Sequence, residues 1–315
     1  MISVIVPTRN PHPARLRRTL AALAAQSLPR AGWELLVVDN ASSPALSPAA
    51  EPLLATLHAR LLVEPAPGLT PARLAGFRAA RGEILVLVDD DNVLDPIYLA
   101  SVAQRFAASP ALAAAGGPVI PEWETSPPEW TTEFHGLLAL RDLGSVEKMA
   151  EGRPGAPWPD FAPVGAGLAI RRPSALACAE AIASDPRRHT LDRTGTSLAS
   201  GGDNDLVFTA LHAGGAVAYF PEMRLTHLIS AGRLAPDYLA RLNRGIMRTW
   251  VRVLALHGQC PWSAIAPASV PFRVARAWFR QRAWRGPAER IRWAGARGQF
   301  EGLADLHTGP PCPGA

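Results

Sequence analysis

The chain has 315 residues, of which 48% are hydrophobic and 19% charged, which is the composition of a globular protein with a large core and argues against disorder. The formal net charge is +5, and nearly all of the positive charge is arginine because Lys148 is the only lysine. This charge suits anionic partners such as phosphates or lipid headgroups, and a codon bias toward arginine would explain it equally well.

The first half of the chain alternates short apolar runs with helical patterns, which is typical of βα units around a parallel sheet. Leu16, Leu20 and Leu23 lie on one face of a helix that is predicted to end near Leu28. The predicted strands cover residues 2–7, 34–39, 60–64, 83–89, 113–120 and 216–220.

Further helices have recognisable start signals. Thr70 and Asp95 each precede a proline, so each is predicted to be an N-cap. Another helix is predicted to begin near Pro173, and one that follows Gly202 is predicted to end before Gly214. The chain beyond residue 235 is predicted to be helical, with a frayed Pro/Gly-rich tail at residues 308–315.

The first four predicted strands all end in polar or proline residues. These ends are Pro7-Thr8, Asp39-Asn40, Glu64-Pro65 and Asp89-Asp90-Asp91-Asn92. Open parallel sheets bind ligands outside the carboxyl ends of their strands. We therefore expect these residues to converge on one crevice.

Three adjacent carboxylates, Asp89, Asp90 and Asp91, follow the apolar run 84–88. Such carboxylates repel one another, and a divalent cation is the usual means of holding them together. A Mg²⁺ or Mn²⁺ ion there could act as a Lewis acid on a diphosphate leaving group. The alternative is an acidic surface turn that caps the next helix.

The ordered set of motifs resembles the inverting glycosyltransferases of family 2, which share the GT-A fold. The resemblance runs through residues 4–10, 37–42, 68–82, 83–92, 201–206 and 224–238. It implies an α/β, Rossmann-like fold with a mostly parallel central sheet flanked by helices. We predict a GT-A nucleotide-sugar transferase domain over residues 1–235 and a helical, basic C-terminal extension over residues 236–315.

The resemblance also implies roles for individual residues. On the donor side it implies nucleotide contacts by Pro7, Thr8, Arg9, Asp39, Arg73, Asp89 and Asp90, with the Asp39 carboxylate accepting from the base. The metal ligands that it implies are Asp89, Asp91 and His227, although His227 could equally be a structural histidine. Gly165-Ala166-Gly167 resembles the acceptor-side loop of the family, and its alternative is tight packing.

Asp203 is the general base that the resemblance implies. Inversion in one displacement needs a carboxylate that takes the acceptor proton, and Asp203 follows two glycines at a helix start. Helix capping is the competing role for this residue. The family often has Glu directly before this Asp, where this chain has Gly202, so the choice between Asp203 and Asp205 stays open.

These observations predict a metal-dependent, inverting glycosyltransferase of hexosyltransferase type. Its donor would be a nucleotide sugar, with a UDP-sugar as the first choice. Its acceptor would be a saccharide or a lipid-linked saccharide, and its role would be in cell-surface or exopolysaccharide assembly. One alternative is a nucleotidyltransferase. That class is expected to have a glycine-rich phosphate loop near the N-terminus, and residues 7–13 do not supply one. Another is a non-catalytic, transferase-like scaffold at the membrane surface. A dehydrogenase is disfavoured because no G-x-G-x-x-G follows the first strand.

The Arg/Trp-rich segment 273–297 either contacts an anionic membrane peripherally or forms a helical cover with a solvated arginine face. A nucleic-acid partner is not expected, because no recognised binding module accompanies the charge. Cys178, Cys260 and Cys312 lack metal-ligand spacing, so we expect reduced thiols in a cytoplasmic protein. With no signal peptide or apolar span evident, the expected location is the cytoplasm or the inner face of the cytoplasmic membrane.

Overall fold

A computed structural model of the chain describes residues 1–308. Its strands, in chain order, are β1 (Ile2–Thr8), β2 (Trp33–Asp39), β3 (Arg60–Val63), β4 (Ile84–Leu87), β5 (Asn92–Leu94), β6 (Leu112–Gly116), β7 (Val119–Trp123), β8 (Lys148–Ala150), β9 (Ala169–Arg171), β10 (Ala216–Tyr219) and β11 (Leu225–Ile229). Residues 309–315, which include Cys312 and most of the predicted frayed tail, lie outside the described residues.

The α-helices are α1 (Pro13–Ala24), α2 (Leu53–Thr56), α3 (Leu69–Ala79), α4 (Tyr98–Ala108), α5 (Arg172–Ser184), α6 (Gly202–His212), α7 (Pro236–Leu256), α8 (Val270–Gln281) and α9 (Pro287–Thr308). Short 3₁₀ helices cover Arg30–Gly32, Glu129–Leu138, Pro186–Thr190, Ala231–Leu234 and Pro267–Ser269. Among residues 1–308, no helix combines the length and the apolar character needed to cross a bilayer.

Within the described chain, eight strands form the larger sheet, in the order β3-β2-β1-β4-β9-β6-β10-β8. β1 runs parallel to β2 and β4, β2 runs parallel to β3, and β6 runs parallel to β10. β9 is antiparallel to both of its neighbours, and β8 is antiparallel to β10. A second sheet holds β5, β11 and β7. The mostly parallel central sheet predicted from the sequence is confirmed.

Both faces of the larger sheet are buried, as expected of parallel strands covered by helices. Alternate residues of β1 point to opposite faces, so Val4 and Val6 belong to one apolar cluster and Ile5 to the other. α3 packs closely on β1, because a Cβ added at Gly76 would lie 2.5 Å from the Ile5 side chain. This close packing fixes the loops that leave the strands.

Several predicted element boundaries are wrong. α1 ends at Ala24 rather than near Leu28. α3 begins at Leu69 with Gly68 as its N-cap, so Thr70 lies inside the helix. α4 begins only at Tyr98, because Asp95 and Pro96 form the turn before it.

The strand predicted over 113–120 is two strands, β6 and β7. Gly117 and Pro118 separate them, and a Cβ at Gly117 would lie 2.3 Å from the carbonyl oxygen of Met223. Only glycine allows so close an approach of two backbones. β5 and β11 were not predicted, and β11 contains His227.

The chain divides into two compact units. The first comprises Met1–Glu122, Ala139–Pro186 and Leu206–Ile229. The second comprises Trp123–Leu138, Arg187–Asp205 and the chain from Ser230 onward, which includes the predicted C-terminal helices. The proposed domain division between residues 235 and 236 stays a prediction.

In the second unit, α9 packs on α7 through its glycines. A Cβ at Gly298 would lie 2.1 Å from the carbonyl oxygen of Arg244, and one at Gly302 would lie 2.8 Å from that of Arg248. Arg244 and Arg248 also form paired hydrogen bonds with Glu301 and Asp305, so close packing is combined with two ion pairs.

Candidate active site

The polar ends of three neighbouring strands lie side by side in the first unit. β1 lies between β2 and β4, and Thr8 at the end of β1 is directly opposite Asp39 at the end of β2. The Asn40 amide donates to the Thr8 carbonyl oxygen at 2.8 Å. The predicted convergence of these strand ends is therefore confirmed.

The Asp39 carboxylate organises the loop that follows β2. It is buried, and its two oxygens accept from the amides of Ser42 at 3.1 Å and Leu46 at 2.8 Å. The neighbouring Asn40 donates to the carbonyl oxygens of Glu64 and Ala66. A contact between Asp39 and a nucleobase stays a prediction, but its carboxylate is held in a fixed position.

The acidic triplet directly follows β4, in a turn closed by its own backbone. The Asn92 amide donates to the Asp89 carbonyl oxygen at 3.0 Å, and the Asp89 amide donates to the Asn92 side-chain oxygen at 3.2 Å. The Thr8 hydroxyl donates to the Asp90 carboxylate. Two predicted donor-site residues, Thr8 and Asp90, are therefore in direct contact.

Asp91 and His227 lie together, as the predicted metal site requires. His227 is opposite Asn92 in the antiparallel pair of β5 and β11, and the Leu228 amide donates to the Asp91 carbonyl oxygen at 2.9 Å. This pairing places His227 Nε2 3.4 Å from Asp91 Oδ1, with both side chains buried. The Asn92 side-chain nitrogen donates to the same Asp91 oxygen at 3.2 Å.

The remaining predicted donor-site residues belong to the same unit. Pro7 is buried in β1, Arg9 is exposed directly after it, and Arg73 is buried in α3. Asp89 is half-buried at the end of β4. Their contacts with a nucleotide stay predictions.

The donor set of this site fits a divalent cation. A carboxylate oxygen and an imidazole nitrogen are ligands that Mg²⁺ and especially Mn²⁺ accept, and such ions complete their shell with water and substrate phosphates. Within residues 1–308, no group of three or more His, Cys, Asp or Glu side chains is gathered for a metal.

Asp203 and Asp205 differ in surroundings, although both lie in the first turn of α6. Asp205 is only 1% exposed, forms an ion pair with Arg188 and is hydrogen-bonded to His257, whose Nε2 lies 2.7 Å from its carboxylate. Asp203 is half-buried. Of the two carboxylates, Asp203 is the more accessible to an acceptor.

The glycine at position 202 has a steric explanation. A Cβ at Gly202 would lie 2.2 Å from Oδ2 of Asp192, and Asp192 is itself buried. A glutamate, which the related enzymes often have at this position, would collide with that carboxylate. Arg188, Asp192 and His257 were missed as neighbours of this segment, because contacts over long sequence separations leave no local signal.

Tyr98 holds the loop Gly165-Ala166-Gly167. Its hydroxyl donates to the Gly167 carbonyl oxygen, and burial raises the pKa of the Tyr98 phenol well above its ordinary value. Gly167 has a φ of +74°, which favours glycine. Close packing therefore accounts for this loop, and its acceptor-side role stays a prediction.

Comparison with known proteins gives a family match and a fold match. The model of the family described as glycosyl transferase family 2 matches residues 3–174, which is more than half of the chain. A glucosyl-dolichyl phosphate glucuronosyltransferase of Haloferax volcanii is 29% identical over 87 residues, which are 27% of this chain and 28% of that protein. The O-antigen biosynthesis protein RfbC of Myxococcus xanthus is 31% identical over 186 residues, which are 51% of this chain and 14% of that protein. The matched segments thus span less than a third of these relatives.

Solved structures show the fold over nearly the whole chain. S. aureus TarS 1-349 in complex with UDP has a TM-score of 0.50 and 14% identity, over 98% of this chain and 92% of that chain. The complex of the same protein with UDP-GlcNAc has a TM-score of 0.50 and 13% identity, over 97% of this chain and 91% of that chain. The fold and the family model agree with the resemblance seen in the motifs, and the chain belongs to glycosyl transferase family 2.

Proposed function

We propose that this chain is a metal-dependent, inverting glycosyltransferase that moves a hexosyl group from a nucleotide diphosphate donor to an acceptor hydroxyl. The observation that carries the proposal is the buried Asp91–His227 pair, with its 3.4 Å separation, at the end of a strand that neighbours β1. Family membership supports it. The donor that we favour is a UDP-sugar, because the structural relatives were solved with UDP and UDP-GlcNAc.

Asp91 and His227 would hold Mg²⁺ or Mn²⁺, with Asp89 as a further candidate ligand. When bound, such a cation neutralises negative charge on the diphosphate leaving group. Thr8 and Asp90, in contact with each other, would border the donor together with Pro7 and Arg9, and Arg73 would face the nucleotide. Asp39 would accept from the base through its remaining lone pairs, because each carboxylate oxygen can accept more than one hydrogen bond.

Asp203 is the proposed general base. As the acceptor hydroxyl oxygen bonds to the anomeric carbon, the bond from that carbon to the diphosphate breaks and the hydroxyl proton passes to Asp203. The ion pair, hydrogen bond and burial of Asp205 support this choice, because they tie that carboxylate to its own unit. The proposed acceptor is a saccharide or lipid-linked saccharide in cell-surface or exopolysaccharide assembly, as the names of two relatives suggest.

The donor site is tested by thermal unfolding with a panel of nucleoside diphosphates, each with and without Mn²⁺. Bound ligand raises the unfolding temperature according to its affinity. We expect UDP with Mn²⁺ to stabilise the parent, Asp203→Asn and the exposed control Asp160→Asn, but not Asp91→Asn. Equal stabilisation of Asp91→Asn would contradict the metal site.

Catalysis is tested by a transfer assay on the same variants. Asp203→Asn should bind donor normally and transfer no sugar. Transfer at the parental rate would show that Asp203 is not the base. Donor binding without turnover on any acceptor would instead favour a non-catalytic scaffold.

Peripheral membrane contact is the last part of the proposal. In segment 273–297, Trp278 packs edge-to-face against Trp293, with ring centroids 4.9 Å apart and an interplanar angle of 86°, so these two rings contact each other within the fold. Phe279 (69%) and Trp284 (56%) in this segment are exposed, as is Phe272 (73%) directly before it, and the segment carries exposed arginines at positions 273, 276, 280, 282 and 285. Exposed aromatic side chains next to arginines are suited to bind anionic phospholipids. The proposed surface is the inner face of the cytoplasmic membrane.

Sedimentation with vesicles tests this contact. The chain should bind vesicles that contain phosphatidylglycerol more strongly than vesicles of phosphatidylcholine alone. Phe272→Ala with Phe279→Ala should weaken binding, whereas Val63→Ala, another exposed apolar side chain, should not. Equal binding to both kinds of vesicle, or unchanged binding when both phenylalanines are replaced, would refute the contact.

A further inference from the structure

The second unit contains a cavity of about 660 Å³ that no donor-site residue lines. Its walls are the chain around residues 187–199, one face of α7, and the C-terminal part of α9. Ligand sites for small molecules typically have volumes of roughly 300–1,000 Å³. The cavity is therefore large enough for an organic ligand.

The cavity is strongly cationic. Five arginines and two acids line it, which gives its wall a formal charge of +3. Four of the arginines lie on one face of α7, at positions 241, 244, 248 and 252. This spacing of three or four residues aligns their side chains along the cavity.

Ion pairs within the fold account for only part of this charge. Arg244 forms two hydrogen bonds with Glu301, at 2.7 and 2.8 Å, and Arg248 forms two with Asp305, both at 2.8 Å. These pairs join α7 to α9 and neutralise two of the five arginines. The packing of the helices leaves the charge of Arg241 and Arg252 unexplained.

Arg252 is held where its charge is unfavourable. It donates to the Arg187 carbonyl oxygen at 2.9 Å and to the Thr190 hydroxyl at 2.5 Å, both neutral acceptors. Burial lowers the pKa of the Arg252 guanidinium, Asp305 partly offsets this, and the neighbouring Arg248 lowers the pKa further. Because arginine stays protonated in proteins, a bound anion would compensate the charge of this half-buried guanidinium.

The rest of the lining suits the same chemistry. Hydroxyls of Thr196 and Ser197 lie on the wall and can donate to oxyanions. Arginine is the side chain that binds phosphate oxygens with two parallel hydrogen bonds. Leu198, Leu256 and Leu306 supply an apolar part, which could receive the organic portion of a ligand.

We propose that this cavity is a second ligand site, which binds a phosphate-bearing molecule through Arg241 and Arg252. It is distinct from the predicted donor site, since all of its lining residues belong to the second unit. The proposal does not depend on glycosyl transfer, and its test measures binding alone.

The test is calorimetric titration of the whole chain with inorganic pyrophosphate and, separately, with geranyl diphosphate. EDTA is present throughout, so that the predicted metal-dependent donor site makes no contribution. A stronger affinity for geranyl diphosphate would indicate an apolar phosphate ester as the ligand, and equal affinities would indicate recognition of the phosphate group alone. Either result supports the site if the variants below lose it.

Arg241→Gln and Arg252→Gln should each weaken binding by roughly ten- to a hundredfold, the range for hydrogen bonds between charged groups. Arg241 is exposed, so its variant should fold normally even if Arg252→Gln does not. The matched control is Arg276→Gln, an exposed arginine of α8 outside the cavity. No binding by the parent, parental affinity in Arg241→Gln, or an equal loss in Arg276→Gln would overturn the proposal.

Discussion

Replacement of Gly298 by alanine tests the close packing of α9 on α7, which also shapes the proposed phosphate site. A Cβ at this position would lie 2.1 Å from the Arg244 carbonyl oxygen, 2.8 Å from its carbonyl carbon and 2.9 Å from its Cα. Ordinary contacts of a Cβ lie at 3.4–4 Å. Because the obstructing atoms are backbone, no rotamer change relieves the collision and the helices must move apart.

Two opposing effects set the magnitude of this change. Alanine is favoured over glycine in a helix by about 1 kcal/mol. Overpacking a tight contact costs about 1–3 kcal/mol, and moving α9 also strains the Arg244–Glu301 pair. The two terms leave a net loss of about 0–2 kcal/mol, and because the obstructing atoms are backbone we expect Gly298→Ala to lower the free energy of unfolding by an amount in the upper half of that range, about 1–2 kcal/mol.

Urea unfolding followed by tryptophan fluorescence measures this difference. The control is Gly232→Ala in the same unit, where a Cβ would have no heavy atom within 4 Å. The control should change stability by less than about 0.5 kcal/mol. A Gly298→Ala chain that is as stable as the parent, or more stable, would refute the packing described for α7 and α9.

Three further predictions concern individual side chains. Burial would raise the pKa of Glu301, but hydrogen bonds from two arginines lower it overall. Its contribution to stability should therefore be complete above the unfolded pKa of about 4.3 and be lost as pH falls through the lower folded value. Thermal unfolding should show that Glu301→Gln destabilises the chain at pH 7 and that this loss shrinks as pH falls below about 4.3. Tyr98→Phe should cost about 1–3 kcal/mol in urea unfolding, because the Gly167 carbonyl oxygen loses its buried donor, and an unchanged midpoint would argue against that bond. Asp205→Asn should cost about 3–5 kcal/mol by breaking a buried ion pair, whereas Asp203→Asn should change stability little; similar losses in both would argue against their different surroundings.

The sequence predicted those parts of the site that depend on where a strand ends, because an apolar run followed by polar residues marks a strand end locally. The strand ends at Thr8, Asp39 and Asp89 were predicted to converge and do so, because parallel neighbours bring their carboxyl ends to one edge. His227 was assigned through the family resemblance alone. The pairing that places it beside Asp91 involves a strand of three residues, β5, which is too short to show a period.

What the sequence could not predict depends on contacts between distant segments. Asp205 meets Arg188 and His257 over separations of 17 and 52 residues, and no spacing rule connects them. The N-caps predicted at Thr70 and Asp95 were wrong, since α3 already begins at Leu69 after Gly68 and α4 begins only at Tyr98. The α7 arginines were not singled out from the sequence, because the wall that faces them comes from distant segments and leaves no local signal.

Asp91 and His227 are proposed to hold the divalent cation that the donor needs. Crystals grown with Mn²⁺ and UDP, with diffraction recorded at the manganese absorption edge, test this proposal most directly. We expect an anomalous peak within bonding distance of Asp91 Oδ1 and His227 Nε2 and in contact with the diphosphate. A diphosphate bound elsewhere, or bound at this strand end with no anomalous peak beside these two side chains, would contradict it.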